Sequence, residues 1–417
     1  MPGFTSPLAE SLAGDVLDRF LRYARVDTQS ARDRTGSPST RGQLDLSRML
    51  LEELRALGIA DASLDDNGYV MASLPGDGPA IGLVAHVDVS PDAPGAGVEP
   101  LVHRGYDGGR LELPRNGTVL DPETMPDLLA AAGHDLVTSS GDTLLGADDK
   151  AGVAEIMAAV AHLVAHPDEP RPTLKVCFTP DEEVGEGATL FDIERFGARC
   201  AYTLDGSTRG ELQDETFSGM KAVVRILGVD VHPGFATGKL VNAARLAGRV
   251  LAALPPDLTP EATSGRDGFI HVYDVRATGG EATIEAIVRD FDDDKLAAHV
   301  ELLRGVAEEV VASEPRARLE FHAEHQYPNM RRYLDDHPDV SAIAERAIRA
   351  EGIEPIRKPI RGGTDGSMLS ARGLPTPNIF AGGHEFHSVR EWVTVQDMAA
   401  AAAVVVRLAA EWAANGA

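Results

Sequence analysis

Four short apolar runs constrain what this chain can fold into: Ala80 to Val89, Thr173 to Phe178, Cys200 to Leu204 and Thr376 to Phe380. The first is near-continuous and closes on Ser90-Pro91-Asp92; the second is broken by Pro180. A strand without polar alternation is buried on both faces, as in a parallel sheet. Residues 8–26, 43–57 and 149–166 instead carry apolar positions at helical spacing, such as Leu12, Val16, Phe20 and Tyr23. Strands alternating with helices predict an α/β fold: a mostly parallel sheet flanked by helices on both faces. Ligands of such sheets collect at the carboxyl ends of the strands.

With 417 residues the chain is too long for one ordinary core, so two domains are expected. Between about residues 214 and 326 the pattern changes. Strands are expected over Val223 to Val229, Phe269 to Val275, Ala282 to Phe291 and Ala317 to Phe321, and helices over Val241 to Leu254 and Leu296 to Val311. That order is β-α-β-β-α-β, a ferredoxin-like arrangement. The expected division is a large domain over residues 1–213 and 327–417, with a smaller one over 214–326 inserted into it. The triplet Asp292-Asp293-Asp294 should begin a helix, where acids favour the dipole.

Chemistry-bearing residues gather where the apolar runs stop. His86 and Asp88 end the first run, Glu182 and Glu183 follow the second, and Asp205 follows the third. His384 follows the fourth, and Asp148 lies in the loop before a helix. Taken singly, each motif has an ordinary explanation: a helix N-cap for Asp148-Asp149, solvated charge for Glu182-Glu183, a turn for Leu204-Asp205-Gly206. Their joint position at strand ends is what makes a site. Imidazole nitrogens and carboxylate oxygens suit zinc. Asp148, Glu183 and Asp205 plus a hydroxide would balance two divalent cations, as a buried site requires.

In the simplest arrangement Asp148 bridges two Zn2+. His86 and Asp205 complete one ion; Glu183 and His384 complete the other. In a strand, positions i and i+2 share a side, so Asp88 can orient the His86 ring. Of the adjacent acids Glu182 and Glu183, one can ligate while the other accepts a proton from water and passes it to a leaving amine. His384-Glu385-Phe386-His387 is one residue short of the His-Glu-x-x-His zinc helix, so His387 is placed as a loop residue beside the site. No Gly-x-Ser-x-Gly elbow, Gly-x-Gly-x-x-Gly or P-loop pattern supports a competing chemistry.

Lys plus Arg is 39 and Asp plus Glu is 65, so the net charge is 39 − 65 = −26, which repels nucleic acid and anionic lipid. No apolar run approaches the ~20 residues that span a bilayer. The start, Met1-Pro2-Gly3-Phe4-Thr5, has no secretory pattern. Cys177 and Cys200 sit inside apolar runs and read as buried thiols in a reducing compartment. A soluble, cytoplasmic protein is expected.

Several motifs together resemble the peptidase T family, tripeptide aminopeptidases among the di-zinc exopeptidases. They are His86-Val87-Asp88, Gly146-Ala147-Asp148-Asp149-Lys150, Pro180-Asp181-Glu182-Glu183, Val231-His232-Pro233-Gly234, Val241-Asn242-Ala243, Arg289-Asp290-Phe291, Arg361-Gly362-Gly363-Thr364-Asp365-Gly366 and His384-Glu385-Phe386. The resemblance covers nearly the whole chain. It implies two Zn2+ per chain on His86, Asp148, Glu183, Asp205 and His384. It also implies Asp88 and Glu182 as catalytic acids, with Glu182 the general base, and a cis Asp148–Asp149 bond. The inserted domain would be a lid. Apart from the resemblance, pairing of that domain across a two-fold axis would make a homodimer. His232 would approach the oxyanion, and Asn242, Arg289 and Arg361 would hold polar groups of a short peptide. Thr237 stands where many family members carry lysine, and Val89 where threonine is usual. Two alternatives remain open: a related di-zinc hydrolase of dipeptides or N-acyl amino acids, and a zinc-holding module without catalysis.

Overall fold

The computed structural model describes residues 3–415. Contacts divide them into two units. The first holds the chain up to Asp214, Met330–Lys358 and everything from Thr364 on; the second is Glu215–Asn329 with Pro359–Gly363. The short segment Pro359–Gly363, expected within the large domain, belongs to the second unit, where Ile360 bridges Thr216.

An eight-stranded sheet organises the first unit. Its centre is parallel: Leu174–Thr179, Ile81–His86, Cys200–Gly206 and Asn378–Phe380 lie side by side. Ile81–His86 is buried at every position, as a run without polar alternation requires. Ile81, Leu83 and Ala85 enter the main core, while Val84 joins Phe191, Phe196 and Leu369 on the other face. At Gly82 a Cβ would come within 2.5 Å of the Phe196 ring, so the helix-side packing there needs glycine.

Antiparallel pairings at the flanks make the sheet mixed. Val70–Leu74 runs antiparallel to Leu174–Thr179, and Glu211–Gln213 antiparallel to Asn378–Phe380. Ser63–Leu64 is forced antiparallel to Val70–Leu74 because a tight turn joins them. In that turn Asp65 accepts from the Asn67 and Tyr69 amides.

Helices Pro7–Ala24, Ala147–Ala165, Pro338–Ala350 and Val395–Asn415 pack together. Val395–Asn415 is buried on all sides from Val395 to Val406, the mark of a central helix. A second, four-stranded sheet sets Gly383–His384 beside Trp392–Thr394, Leu136–Thr138 and Leu101–His103. Cys177 and Cys200 are buried free thiols. Among the described residues no helix is long and apolar enough to cross a membrane.

The second unit has the order β-α-β-β-α-β. Its sheet runs Phe269–Ala277, Glu281–Asp290, Ser218–Leu227, Arg318–Tyr327, antiparallel throughout. Helices Ala243–Ala253 and Asp293–Ala312 cover it through a core that includes Leu246, Val250, Ile284, Val288 and Leu303. The acidic triplet does start a helix: the Asp292 carboxylate accepts from the Asp294 and Lys295 amides.

Candidate active site

His86 is the last residue of the strand Ile81–His86, and its ring is set between Asp88, Asp148 and Asp205. Its Nδ1 lies 3.0 Å from the Asp88 carbonyl oxygen, which can only accept, so Nδ1 carries the proton. Nε2 faces the neighbouring acids, 2.9 Å from Asp148 Oδ1 and 3.8 Å from Asp205 Oδ1. Asp88 orients the ring mainly through its backbone; its carboxylate accepts from the Glu182 and Glu183 amides at 3.0 and 3.2 Å. That clamp ties the acidic turn to the histidine.

Asp148 stands at the entry to the helix Ala147–Ala165, where its φ/ψ are not yet helical, and the Asp148–Asp149 peptide is cis. Asp149 turns the other way: its carboxylate accepts from the His86 amide at 3.1 Å and the Gly152 amide at 3.2 Å. It therefore caps the helix and fastens it to the strand end. Gly152 permits this approach, since a Cβ there would meet the Leu204 carbonyl oxygen at 2.0 Å. Asp205 follows Leu204 on its strand, with its amide bonded to Asn378 Oδ1 at 2.9 Å.

The second imidazole is His387, not His384. His387 Nε2 lies 2.8 Å from Glu183 Oε2 and 3.3 Å from Asp148 Oδ2. His384 belongs to the strand Gly383–His384, which pairs with Trp392, and its ring stacks on that indole at 4.1 Å. Asp127, 3.8 Å from its Nδ1, is the one carboxylate within ion-pair reach among the described residues. The physical reason is local. The strand commits His384 to packing, and the turn that follows, with Glu385 and His387 at positive φ, swings His387 back over the acids. The signal in the chain is a second histidine three positions after His384, beyond the end of the strand.

Burial pushes Glu183 up to about 8 and Asp205 up to about 6, each helped by the charge of Asp148. Burial opposes ionisation of Asp148 too, but its bonds to His387 and His86 outweigh it and hold that carboxyl below the ordinary range. Glu183 Oε1 is buried without a hydrogen-bond partner. Ligand atoms of His86, Asp148 and Glu183 lie within 4.8 Å of one another, as do those of His86, Asp149 and Asp205. Crowded carboxylates, an orphaned oxygen and two imidazole nitrogens turned toward them fit divalent cations.

Two further carboxylates were not foreseen. Asp365 is buried, accepts from Thr179 Oγ1 at 2.7 Å and is pushed up to about 7 by burial. Glu391 accepts from the Leu145, Gly146 and Asp148 amides at 2.7, 2.8 and 3.0 Å. It thereby shapes the loop that presents Asp148. Glu391→Ala would leave those three donors buried and unpaired, each costing about 1–3 kcal/mol. The expected result is a lower Tm and metal affinity weakened about 10- to 100-fold, read by chelator competition.

The four expected substrate contacts all lie in the second unit. His232 Nδ1 accepts from the Gly234 amide at 3.1 Å, which leaves the proton on Nε2. The Asn242 side chain caps the helix Ala243–Ala253. Arg289 is buried and donates to Met220 O, Val288 O and Gln326 Oε1 over the Tyr327 ring. Arg361 donates to Thr263 Oγ1 and the Asp267 carbonyl, with Phe217 and Phe269 beneath it.

A mixed α/β sheet with acids and imidazoles gathered at its strand ends, interrupted in sequence by a β-α-β-β-α-β unit, is the build of a metallopeptidase. The profile of peptidase family M20/M25/M40 matches residues 143–411. The chain is 44% identical to Peptidase T of Aliivibrio fischeri over 95% of its own length and 98% of that protein's. It thus belongs to peptidase family M20/M25/M40. Its fold matches a tripeptidase from Staphylococcus aureus at a TM-score of 0.76 and 22% identity, over 97% of this chain and 99% of that one. It also matches a dinuclear metal-binding peptidase of the M20 family from Bacillus subtilis at a TM-score of 0.62 and 16% identity, over 96% and 98%.

Proposed function

We propose that this chain is a cytoplasmic di-zinc aminopeptidase that removes the N-terminal residue from tripeptides. The observation that carries the metal assignment is the placement of Asp148, whose two oxygens face two different imidazoles, His86 at 2.9 Å and His387 at 3.3 Å. A carboxylate held that way suits a bridge between two cations. His86 and Asp205 would share one ion with Asp148, and Glu183 and His387 the other. When bound, such a pair supplies Lewis acidity and makes water acidic near neutral pH.

The protein's own groups do the rest. Glu182, with Oε2 4.0 Å from His86 Nε2, borders the cluster without joining either imidazole in a close contact. It is the proposed general base, taking a proton from the attacking water and returning it to the departing amine. Asp88 is a positioning residue, holding His86 with its carbonyl and the Glu182–Glu183 turn with its carboxylate. His232 is the proposed donor to developing oxyanion charge, and Asn242, Arg289 and Arg361 are the proposed contacts to peptide polar groups. The buried free thiols accord with a reducing compartment. Pairing of the second unit into a homodimer belongs to the same reading, and light scattering tests it.

Substrate class is tested with di-, tri- and tetrapeptides bearing free or acetylated amino ends. Free tripeptides should be cleaved fastest, with activity lost on chelation and restored by Zn2+. Faster cleavage of acetylated substrates would move the assignment to an N-acyl amino acid hydrolase.

A further inference from the structure

At the far end of the helix Ala147–Ala165 from Asp148, a second group of metal-binding side chains comes together: His162, His166 and Glu169. Fourteen residues separate Asp148 from His162, about 20 Å along a helix at 1.5 Å per residue, so the group is distinct from the active site. We propose that it is an additional site for a borderline transition-metal ion of the Zn2+ or Ni2+ type, and that occupancy stabilises this end of the first unit.

Three observations carry the proposal. The histidines stand at i and i+4, the spacing that puts two side chains on one face of a helix. Their rings lie 4.1 Å apart, and one ligand atom from each of the three residues falls within 4.8 Å of the others. Next, His166 Nδ1 lies 2.8 Å from the His162 carbonyl oxygen. A carbonyl cannot donate, so the proton sits on Nδ1 and the Nε2 lone pair is free. This is the backbone-oriented imidazole common among metal ligands.

Finally, the carboxylate is already in position. Glu169 Oε1 lies 3.1 Å from His162 Nε2, a separation two donors keep when each sits about 2.0–2.2 Å from one ion. The loop that carries Glu169 is pinned from both sides. Its amide bonds to His166 O at 3.1 Å, and Arg171 donates to the Pro167, Glu169 and Pro75 carbonyls. His162 is mostly covered, whereas Glu169 is 39% exposed, so an ion can reach the group from solvent. Two nitrogens and one oxygen favour Zn2+ or Ni2+ over the hard cations Mg2+ and Ca2+. Such an ion would join the end of the helix to the loop leading into the strand Leu174–Thr179.

The test uses the full chain with its active-site metals loaded and free metal removed, titrated with Zn2+ and separately with Ni2+. The wild type should take up one further equivalent of either ion, with a rise in Tm. His166→Ala and Glu169→Gln should each weaken that uptake at least about 10-fold and abolish the Tm rise, with turnover unchanged. Because His166 is exposed and Glu169→Gln keeps the side-chain shape, both variants should fold. A wild type that takes up no further equivalent at micromolar metal, or variants that bind it as the wild type does, would overturn the proposal.

Discussion

Glu182→Ala is expected to lower kcat on a tripeptide about 100- to 10,000-fold while the chain keeps its full metal content. The magnitude is what a positioned acid–base group contributes. The separation of effects follows from the contacts. Glu182 Oε2 is 4.0 Å from His86 Nε2, at the margin of the cluster, whereas Glu183 and Asp148 meet His387 directly. The turn that carries Glu182 is held by its backbone amide on Asp88, which alanine retains. KM should change little, because the carboxylate acts on the water and the leaving group rather than on the peptide. Metal content by elemental analysis alongside steady-state kinetics checks both halves. Near-normal kcat would remove Glu182 as the base; lost metal with lost kcat would make it a ligand.

Much of this site is readable from the chain because the fold class itself places it. Once a near-continuous apolar run such as Ile81 to His86 is recognised as a buried strand, the residue at its end is a site residue by topology. His86, Asp205 and the Glu182–Glu183 turn were found that way, and the structure brings them together around Asp148. The β-α-β-β-α-β order was equally legible, because strands and helices there alternate with clear periods. What local pattern cannot convey is partnership across the chain. Glu391 bonds to amides 243 to 246 residues earlier, and nothing around it in sequence points to the loop it holds. The antiparallel flanks of the sheet and the small sheet containing His384 are short strands whose direction is set by their neighbours, so they left only a weak period. The segment Pro359–Gly363 joins the second unit through the Thr216–Ile360 bridge and the contacts of Arg361, which composition does not mark.

The two histidines near residue 385 provide a sharper discrimination, since sequence position favours one and geometry the other. His387→Ala should lose one metal equivalent and lower kcat/KM by about 100-fold or more, beyond what even an outer partner of a ligand costs. It removes the group 2.8 Å from Glu183 and 3.3 Å from Asp148, leaving those two acids without their shared counterpart. With 41% of its side chain exposed, His387 carries little of the core, so its loss should barely move Tm once metal is accounted for. His384→Ala should show the reverse. Its imidazole is buried against Trp392 at 4.1 Å, and burial lowers its affinity for a proton, so it packs as a neutral ring. Removing it forfeits an aromatic pair of about 0.5–1.5 kcal/mol plus the cost of the cavity. Tm should fall while metal content and turnover stay near wild type. The pair is measured by metal analysis, thermal unfolding and kinetics on one tripeptide. If His384→Ala instead sheds metal and His387→Ala keeps it, the ligand returns to the strand, and the proposed bridge from Asp148 to two imidazoles goes with it.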